Sequence, residues 1–266
     1  MISDPVSNVS EEILLRSDQD GVATLRLNRP SRFNALSEAM LGALQRELVE
    51  LKDDQTIRCV VLGGSGPAFC AGHDLVEMNG HAEEDYFQRL FAQCSEVMQA
   101  IRALPVPVIA EVHGIATAAG CQLVATCDMA VAGRAARFAV SGVNLGLFCS
   151  TPAVALSRNI PPKAAFDMLT TGRFIDADEA LALGLVNAVV DDAALSASVA
   201  AKAAVICSKS PEAIRLGKQM FYAQAALPLA DAYRYAADVM ACNMMSTDAR
   251  QGIEAFLTKR KVLGAV

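Results

Sequence analysis

The chain has 266 residues, 53% hydrophobic and 20% charged, so it reads as one large globular domain or a domain with a small appendage, not as a disordered chain. A net charge of −6 argues against nucleic acid as the main partner, because phosphate binding needs a basic surface; a local basic pocket stays allowed. No run approaches the ~20 apolar residues that cross a bilayer, so no membrane partner is expected.

The opening residues, MISDPVSNVSEE, are polar and acidic, with neither a basic and apolar leader nor an Arg-rich amphipathic pattern. The expected compartment is therefore the cytoplasm, and a bacterial one. Residues 21–27 (GVATLRL) predict a strand, and Asn28-Arg29-Pro30-Ser31 a turn. Ser37 predicts an N-cap, after which Met40, Leu41, Leu44, Leu48 and Leu51 share one helical face. Residues 58–62 (RCVVL) predict a short apolar strand closed by Gly63-Gly64-Ser65-Gly66-Pro67. A long helix is expected over about 83–102, then a buried strand within 105–112 that ends before Gly114. Short strands at 129–132 and 137–140 precede a helix near 151–158. Strands alternating with helices predict an α/β fold with strands buried on both faces.

Asp176 and Glu179 form a capping box, and Gly184 closes the helix that follows. Ser210-Pro211-Glu212 starts another helix, and no strand pattern follows. The chain thus divides into a core, 1–205, and a helical C-terminal segment, 206–266. Met220, Phe221, Met240, Met244 and Met245 give that segment an apolar character that suits either a core or a subunit interface, and the interface is favoured.

The eight cysteines show no CxxC and no histidine at ligand spacing. Cys59 and Cys207 sit in apolar runs, where a free thiol behaves as a small hydrophobe. Free structural thiols and no metal site are the expectation.

Five stretches together resemble the enoyl-CoA hydratase/isomerase (crotonase) family: NRPSRFNALS (28–37), GPAFCAGHDLVEM (66–78), PVIAEVHGIATAAGCQLVATCDMAVA (107–132), LTTGRFIDADEALALGLVNAVV (169–190) and GIEAFLTKRK (252–261). They cover nearly the whole chain in order. The resemblance implies a crotonase-type spiral of repeated ββα units with a C-terminal helical oligomerisation segment, assembled as a homotrimer or a dimer of trimers. It implies an acyl-CoA thioester as substrate, with coenzyme A as part of that substrate and no separate cofactor, and lyase or isomerase chemistry of the kind used in fatty-acid metabolism.

Such chemistry puts negative charge on the thioester oxygen, which two converging backbone N–H groups can stabilise. The family's donors map to His73 and Ala119. Gly120 and the alanines around it would let a thioester approach closely; a tight helix–strand junction would need the same small residues. The resemblance also assigns Arg32, Ala35, Ala71, Asp74, Leu75, Asn144, Phe256 and Lys259 to substrate or CoA binding. Each basic residue among them also reads as a solvated cation. The His73 side chain would contact CoA or fill space, His113 reads as structural and His81 as solvated.

The sequence departs from the family at its proton-transfer positions. Family hydratases use two glutamates, whose positions here hold Gln122 and Gly142, and neither titrates near neutral pH. Losing one positioned acid or base typically costs ~10²–10⁴-fold in rate. Other members place an acid where this chain has Cys149-Ser150, which would be a nucleophilic thiol or simply a small buried residue. The readings left open are an acyl-CoA enzyme with a nonstandard proton-transfer group and a non-catalytic acyl-CoA-binding or regulatory protein.

Overall fold

The computed structural model describes residues 12–81 and 83–258. Strands β1 (Leu14–Gln19) and β2 (Val22–Leu27) form an antiparallel hairpin, followed by helix α1 (Glu38–Asp53). Strand β3 (Cys59–Gly64) leads to α2 (Leu75–Gly80) and α3 (Glu84–Ala103). Then come β4 (Val108–Val112), β5 (Ile115–Thr117) and α4 (Ala119–Thr126), and after them β6 (Met129–Gly133), β7 (Arg137–Ala139) and α5 (Ser150–Leu156). The chain continues through α6 (Pro162–Thr171), β8 (Ile175–Asp176), α7 (Ala177–Leu183), β9 (Ala188–Val190) and α8 (Leu195–Cys207). It ends in α9 (Pro211–Gln224), α10 (Leu229–Met244) and α11 (Thr247–Leu257).

The larger sheet runs β1-β2-β3-β4-β6-β9 and is parallel from β2 onward. The smaller runs β5-β7-β8. Isolated parallel bridges Leu36↔His73 and Cys70↔Ala116 extend the smaller layer backwards. Each turn of the spiral therefore places one strand in the large sheet and a second segment in the small layer before entering a helix. This is the expected repeated ββα spiral.

Side-chain alternation in the central strands divides the core. Val60, Leu62, Val108 and Ala110 join the main cluster with α1, α3 and α4. Cys59, Val61 and Ile109 face the other way, onto Leu195, Val199 and Ala203 of α8. Burial on both faces explains why β3 and β4 read as continuous apolar runs.

Local capping matches the sequence. Ser37 accepts from Met40 N–H, Asp176 from Glu179 N–H and Ser210 from Ala213 N–H. Gly172 and Gly184 end α6 and α7 in the left-handed region. Strand β1 was not expected: it is an edge strand whose outer residues are polar and exposed, so it has no apolar run to read. The boundary expected at 205/206 falls inside α8, which continues to Cys207 because its apolar face covers the sheet.

Helices α9–α11 bury little by themselves; Ala232 is the one buried side chain within them. A buried ion pair ties α9 down. Lys218 Nζ donates to Asp128 Oδ2 at 2.7 Å and to the carbonyls of Val106 (2.9 Å) and Ile101 (3.1 Å). Asp128 also accepts from Tyr222 Oη at 2.7 Å and from Val108 N–H at 2.6 Å. All three ammonium protons and both carboxylate oxygens have partners, the condition under which a buried pair is tolerated.

Candidate active site

The two sequence-matched N–H groups lie at the ends of small-layer segments, where the chain turns into a helix. At the first, Leu36 N–H donates to Gly72 O (2.8 Å) and Leu36 O accepts from Asp74 N–H (3.3 Å). That parallel bridge uses the groups flanking His73, so the N–H of His73 itself faces away from Leu36. It has no acceptor among the described residues. At the second, Ala119 is the first residue of α4, where an N–H has no intrahelical acceptor. The N-cap, Ala118, supplies no side-chain cap. Its φ of 51° and ψ of −119° form a conformation that normally belongs to glycine.

Gly72 joins the two loops. A Cβ on Gly72 would stand 3.4 Å from the Ala119 nitrogen and 3.1 Å from the Thr117 oxygen. At Gly120 a Cβ would collide with the Cys70 carbonyl at 2.1 Å, so the start of α4 is pressed onto the strand segment leading to His73. Two acceptor-free N–H groups thus sit on adjoining loops, one at the positive end of a helix.

Asp74 holds this loop in place. It caps α2 by accepting from Val76 and Glu77 N–H, and it pairs with Arg29 at 2.9 Å. Burial acts to raise its pKa, but the Arg29 guanidinium and the two N–H groups outweigh it and hold the carboxyl below its ordinary range. Glu77 in turn accepts from Glu38 N–H and caps α1. Both acids are engaged in structure. Ala71 N–H donates to Phe33 O, and Ala35 is buried.

The His73 ring is enclosed. Among the described residues neither ring nitrogen has a partner in good hydrogen-bond geometry, the Leu36 backbone being near without meeting it, and the ring meets Phe91 edge-on at 5.4 Å. Burial lowers its pKa, with the Leu36 carbonyl opposing, so the neutral imidazole is favoured. Phe91, Phe87 and Tyr86 continue the row of stacked and edge-on rings along α3, and His81 at the end of α2 stacks on Tyr86. The sequence analysis singled out none of Tyr86, Phe87 and Phe91. Gln122 is 4% exposed, and its Oε1 has no donor among the described residues.

Gly142 and Cys149 belong together. A Cβ on Gly142 would lie 2.8 Å from Cys149 Sγ and 2.6 Å from the Leu147 oxygen. Burial pushes the Cys149 thiol up, with the Gly142 backbone opposing, so it is not an activated thiolate. Ser150 Oγ donates to Phe148 O. Asn144 is turned against Gly172 just past the end of α6, with its Oδ1 2.8 Å from where a Gly172 Cβ would stand. Leu75, Arg32 and Phe256 are exposed, Arg32 without a carboxylate partner among the described residues. Lys259 lies outside the described residues. His113 Nε2 donates to Gly66 O at 2.9 Å, a structural contact, and His81 stacks on Tyr86. Among the described residues no three His, Cys, Asp or Glu side chains gather as metal ligands.

Residues 17–263 match the enoyl-CoA hydratase/isomerase family. The chain belongs to that family. A crystal structure of an enoyl-CoA hydratase from Mycobacterium smegmatis superposes with a TM-score of 0.93 at 57% identity, covering 94% of this chain and 98% of that one. The "Enoyl-CoA hydratase domain-containing protein 3, mitochondrial" of Xenopus laevis is 44% identical over 243 residues, covering 91% of this chain and 83% of its own. Its Rattus norvegicus namesake is 46% identical over 243 residues, covering 91% and 81%. Residues 113–125 (HGIATAAGCQLVA) and 142–152 (GVNLGLFCSTP) resemble that subgroup, and these relatives bear the resemblance out. They also overturn the cytoplasmic expectation, since both are named mitochondrial. That expectation rested on what the first dozen residues lack, and a missing leader pattern does not fix a compartment.

Proposed function

We propose that the chain binds an acyl-CoA thioester and acts on it as an enoyl-CoA hydratase/isomerase-like enzyme, the thioester oxygen lying between the N–H groups of His73 and Ala119. The observation that carries this reading is the pair of acceptor-free N–H groups on loops that Gly72 holds together. Donors fixed in advance toward a developing oxyanion need no reorganisation during the reaction. The α4 terminus adds its positive end. Exposed Arg32 is available for a CoA phosphate.

In this reading Gln122 and Gly142 occupy the glutamate positions. Gln122 orients water or a carbonyl but moves no proton. The crowding of Gly142 by Cys149 and Leu147 favours a second reading, a non-catalytic acyl-CoA-binding protein, because that position has no room for an acid without rearrangement. For assembly we propose a homotrimer or a dimer of trimers. Phe221, Leu229, Tyr233, Met240, Met245 and Phe256 each expose more than half their surface, an apolar face of the kind that interfaces cover.

Crotonyl-CoA hydration, followed by loss of the enoyl-thioester absorbance, tests the first reading, with calorimetric binding on the same sample. Turnover well above buffer supports the enzyme. Tight binding without turnover on a panel of acyl-CoAs supports the binding protein. Absence of both overturns the acyl-CoA reading. A monomer by light scattering removes the oligomer.

A further inference from the structure

Asn34 stands where the loop between β2 and α1 meets the segment that leads to His73. It is fully buried, and its φ of 55° lies in the left-handed region, which asparagine tolerates better than most residues. Its carboxamide is bonded at both ends. Oδ1 accepts from Arg29 N–H at 2.9 Å, within the same loop. Nδ2 donates to Ser65 O at 2.8 Å and to Ala68 O at 2.7 Å, on the turn after β3. The fit is close, since a Cβ on Gly64 would stand 2.8 Å from Nδ2 and 2.9 Å from Ala68 O.

The segment leaving Ala68 is held on one side by the carbonyls of His113 and Ile115, which accept from Phe69 and Cys70 N–H. Its other bonds go to the Asn34 loop itself. Ala71 N–H donates to Phe33 O, and Leu36 brackets His73, donating to Gly72 O and accepting from Asp74 N–H. The Asn34 amide therefore fastens the loop that brackets His73 to the start of the segment that carries His73. Phe33 and Asn34 are consecutive non-glycine residues at φ 50° and 55°, a costly conformation that persists only where the surroundings hold it. We infer that Asn34 is a positioning residue: fully buried, it meets no substrate, and it acts by aiming the His73 N–H at the thioester oxygen. This rests on the reading above in which that N–H binds the oxygen. Such a lever matters because a misplacement of about 1 Å can cost on the order of 10²-fold in rate.

The test compares butyryl-CoA with S-butyl-CoA, a thioether that keeps the CoA and the chain but lacks the carbonyl. By calorimetry the wild type should bind the thioester about tenfold tighter, the scale of two hydrogen bonds to its oxygen. With butyryl-CoA isotopically labelled at its carbonyl carbon, the infrared stretch of the bound ester should lie below its frequency in water. Asn34→Gly keeps the left-handed backbone and removes the amide. In it the thioester preference should fall toward one and the carbonyl downshift should be lost, with thioether affinity unchanged. Asn34→Asp, which keeps Oδ1 but turns an acceptor on the two carbonyls, should do the same and serves if the first variant folds poorly. A preference and downshift that survive in a folded variant overturn this inference and leave the reading above intact. Equal loss of affinity for both ligands also overturns it, because Asn34 would then hold the fold at large. A wild type with neither preference nor downshift overturns the placement of the thioester oxygen, and the inference with it.

Discussion

Gly72 and Ala118 approach so closely that a Cβ on Gly72 would stand 2.9 Å from the Cβ of Ala118. Gly72 has φ +93° and Ala118 φ +51°, so each loop holds a conformation that L side chains rarely adopt at the point where the loops touch. Such strain costs on the order of 1–3 kcal/mol at a non-glycine residue. Ala118→Gly should relieve it, offset by the extra unfolded-state freedom of glycine, roughly 0.5–1 kcal/mol. The expected net gain is about 1 kcal/mol, or about 2–4 °C in Tm. Gly72→Ala should do the reverse. Thermal unfolding of both variants checks the pair; a destabilised Ala118→Gly would mean the strain is not there.

Gln122→Glu introduces a titratable group where the family has one. Crotonyl-CoA hydration should rise by about 10²-fold, the low end for a positioned acid or base. The new carboxyl is buried, so its pKa lies above that of a free glutamate, and the rate should climb as pH rises through that value. A rate and pH profile equal to wild type would place Gln122 away from the substrate.

Lys218→Met leaves the Asp128 carboxylate without its cation, with side-chain exposures of 6% for Lys218 and 12% for Asp128. Breaking such a pair costs about 3–5 kcal/mol. Because α9–α11 bury few side chains of their own, the loss should appear first as protease cleavage between α8 and α9. Cleavage and denaturant midpoints like wild type would show that another contact holds the segment.

The thiols should sort by burial. Cys242 is exposed and should react first with iodoacetamide near neutral pH. Cys70, Cys94 and Cys121 are pushed up to about 12 by burial and should stay unlabelled in the native state. Cys149 should stay with them, since burial raises its thiol too. Rapid alkylation mapped to Cys149 by mass spectrometry would revive it as a nucleophile.

Asp74 sets an acid limit. Its folded pKa lies below the ordinary value of 3.8, so the native state holds fewer protons than the unfolded chain in that window. Its contribution is complete above the unfolded pKa and is lost as pH falls through the lower folded one. Asp74→Asn should flatten the stability decline below pH ~4 while lowering stability at neutral pH. A decline as steep as wild type would assign it to other carboxylates.

Much of the architecture was legible in the sequence because it is encoded locally. Ser37, Asp176 and Ser210 cap helices through bonds to residues three positions on, and apolar periodicity marks β3, β4, α1 and α3. The motif loops at His73 and Ala119 were legible too, since small residues before a helix leave a recognisable pattern. The tertiary structure alone decided that Gly72 joins those loops, that Cys149 fills the space beside Gly142, and that Gln122 Oε1 and the His73 ring nitrogens are enclosed without a hydrogen-bond partner among the described residues. It also decided that Lys218 on α9 reaches Asp128 across 90 residues of sequence. The physical reason is common to these cases: a local pattern fixes which groups a backbone segment must satisfy, whereas close approach and burial depend on which distant segment packs against it.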